Sequence, residues 1–262
     1  MRVGYIQTSP IFGEKEKNFT QINNLVSNTK ADILVLPELF ATGYTFVSKR
    51  EVANFSENTE GITAIFLARL AKKTDALVIG GYIETSDKKI YNSAMIVSKE
   101  GVIGNYRKLH LYYKEKLWFS QGNLPLKIYK FKDFNIGVMI CFDWFFPETM
   151  RSLALLGADI VAHPANLVLP YCQDAMVIRC LENKVYAITS NRIGIEKRGV
   201  DYFKFTGKSQ ITSYNGEILT SAPGDEIFID ITEIELENVR DKSINAYNHI
   251  FEDRRVEFYR NK

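Results

Sequence analysis

Val138-Met139-Ile140-Cys141-Phe142-Asp143-Trp144-Phe145-Phe146-Pro147-Glu148 passes from hydrocarbon to a thiol to a proline in one short stretch. The consecutive apolar positions of Ile136–Ile140 read as a buried strand. Pro147 suits the first turn of a helix, which the spacing then predicts over Glu148–Leu156. A thiol between a strand end and a helix start meets open backbone N–H groups and the positive end of the helix dipole, which favour a thiolate. Turns of this kind are also where α/β enzymes expose a nucleophile. Cys141 is therefore read as a nucleophile. Simple burial, common among free cysteines, is the competing reading, and it is the one kept for Cys172 and Cys180.

Working outward, short branched-apolar runs recur at Val3–Gln7, Ile33–Leu36, Ala76–Gly80, Ser93–Val97, Ile160–Ala162 and Val185–Thr189. Between them lie helical patterns. Asn18–Thr29 carries Phe19, Ile22, Leu25 and Val26 on one face, and Thr63–Lys73 carries Ile65, Phe66, Leu67 and Leu70. Asp174–Asn183 is a further helix. Lys89–Val97 with Gly101–Tyr106 reads as a hairpin. Gln210–Tyr214 and Glu217–Ser221 read as another, turning at Asn215-Gly216, with Phe228–Asp230 expected to extend that second sheet. Alternating strands and helices beside antiparallel hairpins predict a layered α+β sandwich rather than a plain doubly wound sheet. No linker or repeat divides the chain, so residues 1–235 are read as one domain. Residues 236–262 form a charged tail whose Ile250, Phe251, Phe258 and Tyr259 favour packing on the domain or on a neighbouring subunit.

The totals narrow the function class. Of 262 residues, 33 are Lys or Arg and 31 are Asp or Glu, a net charge of +2. Such balance argues against a nucleic-acid or membrane-surface partner, each of which calls for a basic excess. Three cysteines without CxxC spacing and three isolated histidines give neither a disulfide framework nor a metal motif. No apolar stretch approaches a membrane span, and the start, MRVGYIQTSP, lacks the apolar core of a signal peptide. A cytoplasmic protein with a small-molecule partner, and with no metal or cofactor, is expected.

A cysteine nucleophile needs a base. His163 follows a strand and could pair with it, although a lone histidine before proline equally suits a structural place. Glu38, in Leu34-Val35-Leu36-Pro37-Glu38-Leu39-Phe40, stands at a strand end among apolar neighbours, where a closed site can raise a carboxylate's basicity. Lys108, in Tyr106-Arg107-Lys108-Leu109-His110, is either a surface charge beside Arg107 or a cation that stabilises a developing oxyanion.

LPELFATGY around Glu38, YRKLHL around Lys108 and ICFDWFFPE around Cys141, followed by GADIVAHPANL and RCLENKVY, together resemble the nitrilase superfamily of carbon–nitrogen hydrolases. The likeness runs from Val3 to about Asp230. It implies a four-layer α-β-β-α sandwich, a catalytic Glu38–Lys108–Cys141 set, and a second glutamate, Glu115, that positions lysine and substrate. It also implies a homodimer or higher homo-oligomer packed near the helix after the cysteine. Tyr44, Phe142, Trp144 and Asn166 lie beside the motifs as expected substrate-binding residues. Asp143, two residues past the cysteine, resembles amidases and carbamoyl hydrolases more than nitrilases proper. The expected reaction is amide or N-carbamoyl hydrolysis through a thioester. Nitrile hydrolysis is the alternative, and a silent binding module is the alternative from another class.

Overall fold

The structure, a computed structural model, describes residues 1–259. The chain runs β1 (Arg2–Gln7), α1 (Lys15–Leu25), β2 (Ile33–Val35), α2 (Lys49–Phe55), α3 (Ile62–Thr74), β3 (Leu77–Ser86), β4 (Lys89–Ser98) and β5 (Gly101–Arg107). It continues through α4 (Glu115–Trp118), β6 (Tyr129–Phe131), β7 (Phe134–Val138), a 3-10 turn over Cys141–Phe145, α5 (Pro147–Leu155), β8 (Ile160–Pro164), α6 (Cys172–Asn183) and β9 (Tyr186–Ser190). The remainder is β10 (Ile195–Arg198), β11 (Asp201–Lys204), β12 (Gln210–Thr212), β13 (Ile218–Ser221), β14 (Phe228–Glu233), α7 (Glu237–Arg240), β15 (Ser243–Asn245), β16 (Asn248–His249) and a final 3-10 turn.

Two six-stranded sheets result, ordered β14-β1-β2-β3-β4-β5 and β13-β12-β9-β8-β7-β6. Each has three parallel strands at its centre and antiparallel strands outside. Residue alternation explains the layering. Val3, Tyr5, Ile33, Val35, Leu77 and Ile79 face the second sheet, in one cluster with Ile136, Val138, Ile160 and Ile188. Ile6, Leu34 and Val78 point the other way, onto Phe19 and Ile22 of α1 and Phe66, Leu67 and Leu70 of α3. Strands buried on both faces must be apolar at consecutive positions, which is why these runs do not alternate. α5 and α6 cover the second sheet. The order is helix, sheet, sheet, helix. Each fully buried Leu contributes about 1.5–3 kcal/mol relative to exposure.

Two expectations need correction. Phe228–Asp230 does not extend the β12–β13 sheet; as part of β14 it pairs antiparallel with β1 in the other sheet, Gln7 opposite Phe228. There Ile229 and Ile231 pack against the cluster under α1 and α3, and β1 gains partners for an otherwise open edge. β3 does not stop at Gly80 but runs to Ser86. The two glycines that looked like its end are where the loop after β2 lies on the strand: a Cβ on Gly81 would stand 2.5 Å from Glu38 Cα and Leu39 N. The tail is divided. Val239 is fully buried and Phe251 packs against the central core, whereas Phe258 and Tyr259 are exposed; residues 260–262 lie outside the described part.

Gly81→Ala is expected to cost about 1–3 kcal/mol, as overpacking does, because backbone rather than a flexible side chain stands in the way. Urea unfolding measures it, and wild-type stability would show that the Glu38 loop can move aside.

Candidate active site

Glu38 follows β2, Lys108 follows β5 and Cys141 lies past β7, so three strand ends from two sheets bring them together. Carboxyl ends of parallel strands are where open α/β sheets place ligands. The Lys108 Nζ donates to Glu38 Oε1 at 2.6 Å and to Glu115 Oε1 at 2.8 Å. Asn92 joins both acids: its Nδ2 donates to Glu38 Oε1 at 2.7 Å and to Glu115 Oε1 at 3.4 Å. Its carbonyl accepts from the Lys108 N–H at 2.8 Å. The second oxygen of Glu115 accepts from Tyr112 N at 2.9 Å. Glu38 Oε2 is buried and has no hydrogen-bond partner.

Lys108 and Glu38 are closed from solvent. Burial alone would push the Lys108 ammonium toward neutrality, but the Glu115 and Glu38 carboxylates outweigh it and hold the lysine above its ordinary range. One cation between two acids leaves a surplus negative charge in a dry place. Burial, with repulsion from Glu38, consequently pushes Glu115 up to about 7, against the pull of Lys108. A proton is thus held within the cluster near neutrality.

Cys141 sits at φ +42°, a left-handed conformation that a β-carbon disfavours. His163 braces it. Its Nε2 lies 3.0 Å from the Cys141 carbonyl oxygen and its Nδ1 3.1 Å from Thr189 Oγ1. A carbonyl can only accept, so the proton is on Nε2 and Nδ1 accepts from the threonine. Burial pushes the histidine down to about 4, which keeps it neutral. It supports the backbone of the turn and does not reach the thiol as a base. The thiol donates to the Asn166 carbonyl at 3.8 Å. Contrary to the expectation of a helix-favoured thiolate, burial pushes Cys141 well above the ordinary thiol range, Glu38 adds to that, and Lys108 opposes it. The reason is local: α5 begins six residues later, and the sulfur is buried beside the carboxylates of Glu38 and Glu115.

Cys141 opens onto a cleft enclosing about 250 Å³, walled by Tyr112, Phe142, Trp144, Asn166, Leu167, Val168 and Leu169. Phe142, Trp144 and Asn166 thus line the cleft beside Cys141. Both side-chain polar atoms of Asn166 are buried without partners. Tyr44 does not line this cleft; it borders a neighbouring cavity of about 280 Å³ with Glu115, Phe119, Lys114, Asp201 and Phe203. Burial and the nearby Glu115 carboxylate push its hydroxyl up. Asp143 faces away from the cleft, into hydrogen bonds with Tyr106, His110 and Ile140. Sequence reasoning passed over Asn92, Tyr112, Val168 and Leu169. Only Asn92 left a signal, a lone amide inside an apolar hairpin strand. Among the described residues, no group of three or more His, Cys, Asp or Glu side chains could hold a metal ion, and no helix is long and apolar enough to cross a membrane.

Fold and site together define a nitrilase-type sandwich with an acid–lysine–thiol centre. A carbon-nitrogen hydrolase family model matches residues 2–242, and the chain belongs to that family. It is 46% identical over 263 residues, 99% of each chain, to a nitrilase of Pyrococcus abyssi. It is 30% identical over 245 residues, 92% of this chain and 87% of the relative, to an (R)-stereoselective amidase of a Pseudomonas species. Among solved structures, a carbon-nitrogen hydrolase of Helicobacter pylori superposes with TM-score 0.87 at 24% identity, covering 99% of this chain and 97% of that one. A variant of the Nesterenkonia AN1 amidase, from the nitrilase superfamily, superposes with TM-score 0.82 at 22% identity, covering 98% and 95%.

His163 generates a stability prediction. The unfolded histidine binds a proton below its ordinary value of 6.5, whereas the folded one resists it until about 4. The folded state is therefore favoured fully above pH 6.5 and loses that advantage as pH falls toward 4, by roughly 3 kcal/mol in all. Melting across this window should show the loss in the wild type and a flatter profile in His163→Gln. Equal slopes would contradict a neutral buried imidazole.

Proposed function

We propose that the enzyme hydrolyses small amides or N-carbamoyl compounds through a thioester on Cys141, with Glu38 as general base. The observation that carries this reading is the unpartnered Oε2 of Glu38. Glu115 has both oxygens engaged by Lys108, Asn92 and Tyr112, and His163 is turned to a carbonyl. Glu38 alone of the three has a nitrogen or oxygen without any hydrogen-bond partner, and it is the charge that acts most strongly on the thiol. A protonated resting thiol needs such a base.

In this mechanism Glu38 takes the Cys141 proton as sulfur attacks the carbonyl carbon. Lys108 and the Phe142 N–H stabilise the oxyanion. Glu38 returns the proton to the leaving nitrogen, ammonia or an amine departs, and the thioester remains. Glu38 then removes a proton from water, which adds to the thioester; acid is released and the thiol restored. Glu115 holds Lys108 and the substrate in place. Phe142, Trp144 and Asn166 bind the substrate in the cleft, and Tyr44 shapes the Glu115 side. The 46% identity to a protein named nitrilase favours a second reading, in which the same residues carry a nitrile through a thioimidate.

The expected series is Cys141→Ala inactive with its fold kept, Glu38→Gln inactive, and Lys108→Met reduced by at least about 10²–10³-fold, the value of one oxyanion donor. Ammonia release from aliphatic amides, ω-amides, N-carbamoyl amines and nitriles reads both activity and class. Wild-type turnover by Cys141→Ala would overturn the nucleophile, and turnover of nitriles alone would select the second reading.

The proposal includes a cytoplasmic enzyme, whose three cysteines are free, assembling as a homodimer or higher homo-oligomer. α5 and α6 pack together and leave Leu155, Leu156, Ile178 and Leu181 exposed, an apolar face that association would cover. Sedimentation should show a dimer or larger species in the wild type and a monomer in the Leu156→Glu/Ile178→Glu double variant. A monomeric wild type would remove this part of the proposal.

A further inference from the structure

The Asp143 carboxylate is fully buried, lies outside the cleft, and has no part in the chemistry above. Its Oδ2 accepts from the Tyr106 hydroxyl at 2.7 Å and from Ile140 N at 2.9 Å. Its Oδ1 accepts from His110 N at 3.0 Å and meets His110 Nδ1 at 2.8 Å. The placement of these partners is informative. Tyr106 and His110 stand two residues on either side of Lys108, while Ile140 and Asp143 bracket Cys141. Tyr106 belongs to β5 in the first sheet, and Ile140 follows β7 in the second. One carboxylate thus spans the seam between the sheets where the ammonium meets the thiol.

Other contacts leave that gap unset. The Lys108 N–H is held by the Asn92 carbonyl, and the Lys108 carbonyl accepts from Gly122 N at 2.9 Å. Both fix the lysine backbone, and neither reaches the nucleophile turn. His163 fixes Cys141 from its own sheet. We propose that Asp143 is a positioning residue that sets the distance between the Lys108 ammonium and the Cys141 sulfur by tying together the segments that carry them. The inference rests on reading those two residues as the reacting pair.

Alkylation of Cys141 by iodoacetamide reports the pair directly, because only the thiolate reacts. The groups facing the thiol are Glu38 and Glu115, which oppose ionisation, Lys108, which favours it, and the Tyr44 and Tyr112 hydroxyls, while the neutral His163 meets the Cys141 carbonyl instead. Charge and position predict opposite signs for Asp143→Asn. Removing a negative charge would by itself favour the thiolate and speed alkylation. Releasing the lysine segment withdraws the ammonium and slows it.

At about pH 8.5, with Cys141 read by peptide mass mapping, Asp143→Asn is expected to alkylate roughly tenfold more slowly, one decade in thiolate fraction. Its kcat on the best amide of the panel should fall about 10²-fold, as misplacement of a reacting group does, with KM nearly unchanged. Tyr106→Phe, which removes one hydrogen bond, should move both readouts the same way by less, and it decides the matter if Asp143→Asn does not fold. Lys108→Met should slow alkylation in the wild type and add little in Asp143→Asn, since the two changes act on one interaction. Folded variants that alkylate as fast as the wild type or faster, or additive effects of Lys108→Met, would overturn the proposal. The alkylation cycle uses no substrate, so it stands apart from any failure of the nucleophile assignment, which Cys141→Ala turnover exposes.

Discussion

An ammonium held between two carboxylates in a space without water governs this structure. Desolvating Lys108, Glu38 and Glu115 together is costly. The arrangement survives because each charge is hydrogen-bonded, and removing one member of such a set typically costs about 3–5 kcal/mol. Three polar groups cannot leave a position that depends on all of them. Two strand ends of the first sheet, the hairpin residue Asn92 and the short helix α4 are consequently locked to one point.

Three left-handed residues flank that point. Leu39, just after Glu38, has φ +49°; Tyr113, two residues before Glu115, has φ +48°; Cys141 itself has φ +42°. Left-handed conformations cost about 1–2 kcal/mol for residues with a β-carbon. The surroundings offset this with specific contacts, such as the imidazole on the Cys141 carbonyl. Side chains emerging from such turns are aimed inward instead of continuing the pleat of the strand. Convergence of an acid, a cation and a thiol from different strands requires that departure.

Glu38 and Cys141 stood out in the sequence because each follows an apolar run, where a charge or thiol is conspicuous, whereas Lys108, beside Arg107, stood out only through the resemblance to the nitrilase superfamily. The layers were legible for a related reason: doubly buried strands must be apolar at every position. What escaped depends on contacts between distant segments. Asn92 is an unremarked amide within a strand until two acids are folded over it. Phe228–Asp230 is plainly a strand, but its partner is β1, at the other end of the chain. Gly80 and Gly81 resemble a strand terminus locally, and only what lies on them explains their small size: Leu67 of α3 and Phe40 over Gly80, the Glu38 loop backbone over Gly81. Asp143 was noted only for the resemblance its position carries, and its hydrogen bond to Tyr106 of the opposite sheet exists only in the fold. Loops supply Val168 and Leu169 to the cleft wall, and no periodicity announces loop residues.

The raised acidity threshold of the Cys141 thiol has a consequence for durability. Peroxides attack thiolates, converting them stepwise to sulfenic, sulfinic and sulfonic acids, of which the last is irreversible. A sulfur that stays protonated until a substrate displaces its proton onto a neighbouring carboxylate presents little of the vulnerable species between turnovers. In the proposed mechanism the empty site is therefore chemically quiet, and its reactivity is summoned by the molecule it consumes.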